Sequence, residues 1–97
     1  MKKLLIGVIL TATLAPCDPS EERAERHYQT AITLLAEGDE DRALIELRNV
    51  FELNGFHREA RRLYASTVLA QGNWAEAYGQ YRRLVEQYPD DLEANLI

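Results

Sequence analysis

The sequence predicts an all-α fold of antiparallel helix–turn–helix repeats, and three observations carry the prediction. Apolar residues recur at helical spacing, and no stretch alternates as a half-buried strand does. A glycine followed by an N-capping residue punctuates the chain twice, at Gly38-Asp39 and Gly72-Asn73. The chain also matches itself without a gap at an offset of 34 residues.

Residues 1–16 read as a signal peptide. Met1-Lys2-Lys3 is a basic start, and the 14 residues from Leu4 to Cys17 carry no charge. As a helix at ~1.5 Å per residue they would span ~21 Å, short of a ~30 Å hydrocarbon core. Leu14-Ala15-Pro16-Cys17 resembles a bacterial lipobox, although Pro16 stands where Gly or Ala is preferred. The resemblance implies a lipidated Cys17, with residues 17–23 as a lipidated N-terminus leading into the first helix. Two or more acyl chains make a stable anchor where one is marginal. Asp18, just after the cysteine, is similar to the enterobacterial sorting signal for retention at the inner membrane.

Four helices follow. Asp18-Pro19-Ser20-Glu21 offers an N-cap with proline at the first helical position, and this helix is predicted to reach Glu37. Gly38 ends it by taking a left-handed conformation. Asp39 caps the second helix, which runs to about Leu53 before Asn54-Gly55. The third spans about Arg58 to Gln71 and stops at Gly72. Asn73 caps the fourth, which Pro89 ends after Tyr88. The inward residues are expected to be Ile32, Leu35 and Ala36 on the first helix. On the second they are Ala43, Leu44, Leu47, Val50 and Phe51, and on the fourth Ala77, Tyr81, Leu84 and Val85.

Aligning residues 24–57 with 58–91 gives 9 identities in 34: Glu25/Glu59, Ala31/Ala65, Thr33/Thr67, Leu35/Leu69, Ala36/Ala70, Gly38/Gly72, Ala43/Ala77, Arg48/Arg82 and Glu52/Glu86. Leu34/Val68, Leu47/Tyr81 and Val50/Leu84 are conservative pairs in the same register. Paired helices on this period resemble the tetratricopeptide repeat. The resemblance implies a short solenoid with repeat 1 at 24–57, repeat 2 at 58–91 and a third unit opening at 92–97. Ala31, Ala65, Ala43 and Ala77 match the small residues where two helices of a repeat cross. Trp74 and Pro89 match the family's turn aromatic and closing proline. His27 and Arg61 stand where tryptophan is common, Gly55 replaces the first closing proline, and Glu40 replaces the first turn aromatic. Leu92-Glu93-Ala94-Asn95-Leu96-Ile97 begins a helix and then the chain stops, so the array reads as truncated, with an uncapped C-terminal helix open to self-association.

Composition excludes several functions. The formal charge is −5, and the residues after position 16 carry 9 basic against 16 acidic groups, which disfavours phosphate neutralisation and hence nucleic-acid binding. One cysteine leaves no internal disulfide and no zinc site built on several thiolates. His27 and His57 lack metal-ligand spacing, and Glu37-Gly38-Asp39-Glu40-Asp41 lacks the alternation of a calcium loop. No cofactor, metal or catalytic residue is expected, and the chain reads as a non-enzyme. The groupings Tyr81-Arg82-Arg83 and Arg58/Arg61/Arg62 read as solvated helix faces paired with local acids.

The family resemblance places a peptide-binding groove on the first helix of each repeat. Carried over by position, its residues are Glu25, Tyr28, Ile32 and Leu35, then Glu59, Arg62, Ser66 and Leu69; Ile32 and Leu35 read equally well as core. The expectation is a protein or peptide scaffold, lipid-anchored at the periplasmic side of the envelope with the inner membrane favoured. Ala43-Leu44-Ile45-Glu46-Leu47-Arg48-Asn49 and Arg58-Glu59-Ala60-Arg61 are also similar to tetratricopeptide lipoproteins of exopolysaccharide export. The alternatives are an N-terminal docking segment of a longer exported enzyme and a self-assembling structural protein.

Overall fold

A computed structural model describes residues 19–90, which form four helices: α1 (Pro19–Ala36), α2 (Glu40–Leu53), α3 (Arg58–Ala70) and α4 (Trp74–Gln87). The signal peptide, Cys17, Asp18, Asp91 and the opening of a third unit at 92–97 lie outside the described residues. Helix α1 packs against α2, α3 against α4, and α2 against α3, so two helical hairpins stack in chain order. Among the described residues no helix is long and apolar enough to cross a membrane.

The two inner turns are built alike. Gly38 and Gly72 take φ of 85° and 84°, a region that costs an L-residue roughly 1–2 kcal/mol. In the first turn Asp39 N–H donates to Leu34 O at 2.8 Å and Gly38 N–H to Leu35 O at 3.0 Å. In the second, Asn73 N–H donates to Val68 O and Gly72 N–H to Leu69 O, both at 2.9 Å. Each is a Schellman closure, which satisfies carbonyls that the helix end would otherwise leave open. The residue that ends one helix then caps the next. Asp39 Oδ1 accepts from Arg42 N–H and Asn73 Oδ1 from Glu76 N–H, each at 3.3 Å.

Four alanines, Ala31, Ala43, Ala65 and Ala77, are fully buried where paired helices meet. Leu34, Leu47 and Val50 of the first hairpin and Val68, Tyr81 and Leu84 of the second fill the core between them. The stripe on α1 is turned from the expected one. Ala24, Ala31 and Leu34 face inward with Tyr28 and Leu35 against them, while Ile32 and Ala36 are exposed. Residues 24, 28, 31 and 35 share one face at intervals of three and four, whereas a residue at 32 lies ~100° around from 31.

Arg61 overturns the solvated-face expectation for its cluster, since only 4% of it is exposed. It finds no carboxylate there. Its Nη1 donates to Gln80 Oε1 at 2.6 Å and its Nη2 to Gly55 O at 3.0 Å, while the guanidinium lies 4.3 Å over the Phe51 ring. Burial, with Arg83 nearby, lowers its affinity for the proton. His27, at the matching position of the first hairpin, sets Nδ1 2.6 Å from Glu46 Oε1. Both hairpins therefore tie their two helices by a polar pair 19 residues apart, at the position where the family commonly has tryptophan.

Between the hairpins, Asn54 caps α2 and folds an Asx turn in which Phe56 N–H donates to Asn54 Oδ1 at 3.1 Å. The end of α4 returns to this turn. Gln87 Nε2 donates to Gly55 O at 3.3 Å, Tyr88 Oη donates to Phe56 O, and Arg58 lies 4.6 Å over the Tyr88 ring.

Candidate functional site

The first helices of the two hairpins, α1 and α3, are joined by one side chain at the start of α3. His57 precedes the first helical residue, and its Nδ1 accepts from Ala60 N–H at 3.1 Å. In the neutral ring this leaves the proton on Nε2, which donates to Glu25 Oε1 on α1 at 3.2 Å. The same ring packs on Tyr28, with centroids 4.7 Å apart at 46°. His57 therefore caps α3 and fixes its start against two successive turns of α1.

Beside this joint lies a groove of about 250 Å³ lined by Tyr28 of α1 and by Glu59, Arg62, Leu63 and Ser66 of α3. Glu25, bonded to His57, also accepts from Gln29 Nε2 at 2.9 Å. The hydrogen bond from Gln29, then that from His57, holds its carboxyl below the usual carboxylate range. Burial raises the Tyr28 phenol above its ordinary value, and the Glu59 and Glu25 charges raise it further against a smaller opposing effect of Arg62. The ring therefore presents a neutral hydroxyl. Ser66 Oγ donates to Leu63 O at 3.1 Å and keeps its lone pairs for an incoming donor.

Of the eight residues expected to line a groove, Tyr28, Glu59, Arg62 and Ser66 come together on one wall-and-floor arrangement. Glu25 does not line it and reaches α3 through His57. Ile32 is exposed one turn beyond Tyr28. Leu35 and Leu69 are half-buried and pack against the core, so they serve the fold. Leu63 and His57 were not anticipated. Leu63 falls opposite polar Gln29 in the 34-residue register, so comparing the repeats could not flag it. In the sequence His57 stands out only as a histidine without metal-ligand spacing. Its place immediately before α3 was the available signal, but histidine is an uncommon cap.

Nothing in this arrangement resembles a nucleophile with its base, and among the described residues no group of three or more His, Cys, Asp or Glu side chains could hold a metal ion. What the groove offers is an aromatic ring, an aliphatic wall and charges of both signs. That suits contact with a partner's side chains. A family model described as tetratricopeptide repeat matches residues 34–96. No curated protein matches the chain.

Proposed function

Because the chain belongs to the tetratricopeptide repeat family, whose modules commonly bind proteins or peptides, we propose that it is a non-enzymatic interaction scaffold. It takes a partner segment in the groove between α1 and α3. The observation that carries this reading is that Tyr28 of α1 and Glu59, Arg62 and Ser66 of α3 line one groove. The N-terminal sequence supports a location. The basic start, the short apolar run and Cys17 fit an exported protein held by a lipid at the periplasmic side of the inner membrane. There it would serve envelope or exopolysaccharide assembly, keeping its partner at high local concentration.

A photoreactive residue placed at Ile32, beside the groove, tests the binding role in the native bacterium, with Ile45 on α2 as the exposed control. A discrete adduct from Ile32 and none from Ile45 is the expected result. Equal adducts from both, or none from Ile32, would remove the groove. The anchor is tested by the intact mass of membrane-purified protein. A chain beginning at Cys17 with a lipid-sized increment, lost in Cys17→Ser, is expected; an unmodified chain would exclude it.

A second reading, self-assembly through α4, is favoured by one comparison. Tyr78 is 56% exposed, while Leu44, its counterpart 34 residues earlier, is 6% exposed. Trp74, one turn before Tyr78, is 71% exposed. Sedimentation across concentration decides it: self-assembly requires association that Tyr78→Glu abolishes.

A further inference from the structure

The groove also indicates the charge of what it holds. We infer that it seats a Lys or Arg side chain of the partner, with an apolar neighbour on the exposed Ile32. This rests on the groove being the binding site, and it commits to a basic, amphipathic peptide segment.

Two carboxylates from different helices meet at His57, next to Tyr28, with Glu25 Oε1 3.2 Å from Nε2 and Glu59 Oε1 3.8 Å from Nδ1. Glu25 comes from α1 and Glu59 from the first turn of α3, and their side chains are 54% and 62% exposed. Glu25 is held in place by Gln29 and His57, so its charge is fixed in position before a partner arrives. Arg62 is the one cation lining the groove among the described residues. Glu59 and Glu25 each raise the proton affinity of the Tyr28 hydroxyl, and Arg62 lowers it by less. Tyr28 and Leu63 supply apolar surface to the same groove.

A long cationic side chain matches each of these features. Its methylene stem lies on the Tyr28 ring and Leu63, as such stems do on apolar surfaces. Its charged head reaches the two carboxylates, and the ring face adds cation–π attraction. Ser66 Oγ has lone pairs to accept one further hydrogen from the head. An acidic side chain in the same place would meet two like charges before it reached Arg62. Ile32 follows Tyr28 by four residues, so it faces the adjoining stretch of the partner.

The test is calorimetric titration of the full chain with two capped eight-residue peptides, one alternating Lys and Leu, the other Glu and Leu. The Lys–Leu peptide is expected to bind, and added salt to weaken it. Glu59→Gln should weaken it by about threefold, the scale of an exposed ion pair. Glu86→Gln, an equal charge change at an exposed position of α4, should leave it unaltered. Equal weakening by both substitutions would reduce the effect to net charge and overturn the inference. Tighter binding of the Glu–Leu peptide, abolished by Tyr28→Ala, would overturn the basic preference and leave the groove standing. If neither peptide binds, both the groove and its preference fall.

Discussion

At position 57 a single imidazole ends one hairpin and begins the next. Nδ1 caps α3 through Ala60 N–H, Nε2–H reaches Glu25, and the ring packs at a tilt against Tyr28. Replacing His57 with alanine removes a cap, a loss of about 1 kcal/mol, together with the Glu25 hydrogen bond. His57→Asn restores a capping oxygen but not the reach to α1. Urea unfolding should therefore rank wild type above His57→Asn and His57→Asn above His57→Ala. Glu25 adds a pH dependence of definite sign. Its folded proton affinity is lowered, so its stabilising effect is present above the ordinary carboxylate range and fades as acid protonates it. Glu25→Gln should therefore be less stable than the wild type at neutral pH and converge with it in acid, flattening the acid-side dependence. Arg61 makes a different point at this scale. Its sequence neighbours Arg58 and Arg62 gave it the look of a surface residue, and only the three-dimensional junction reveals Gly55 O, Gln80 and the Phe51 ring as its surroundings.

The helices were legible because their stops and starts are local chemistry. Gly38 and Gly72 satisfy left-handed φ, and Asp39 and Asn73 carry the capping oxygens, so the ends of α1 and α3 and the starts of α2 and α4 follow from four residues. The identical geometry of the two turns predicts similar penalties. Gly38→Ala and Gly72→Ala should each destabilise by roughly 1–2 kcal/mol in equilibrium unfolding, and unequal losses would show that the turns are not equivalent. Leu47→Ala, which empties a fully buried site on α2, should cost about 2–5 kcal/mol. The inward face of α1 was less legible. Its alanines are small and its leucines adjacent, so Leu34 and Leu35 leave the phase of the stripe loosely defined, and Ile32 reads as core although it is exposed. Half of the expected groove residues meet in one cavity, because the period fixes which turn of each helix lies level with its counterpart. Leu63 breaks that symmetry and was invisible to it.

Across the whole molecule, the groove depends on two hairpins behaving as one body. The joint is small: His57 with Glu25 and Tyr28, and the turn at Gly55 and Phe56 with Arg61, Gln87 and Tyr88. Short repeats draw much of their stability from such nearest-neighbour interfaces. Amide hydrogen exchange on the intact chain, wild type and His57→Ala, tests this coupling most directly. The coupled groove predicts that the amides of Tyr28, Arg62 and Ser66 open with the same free energy in the wild type. In His57→Ala, Tyr28 should then exchange ahead of the other two. If Tyr28 already exchanges independently of Arg62 and Ser66 in the wild type, the two helices do not form one groove.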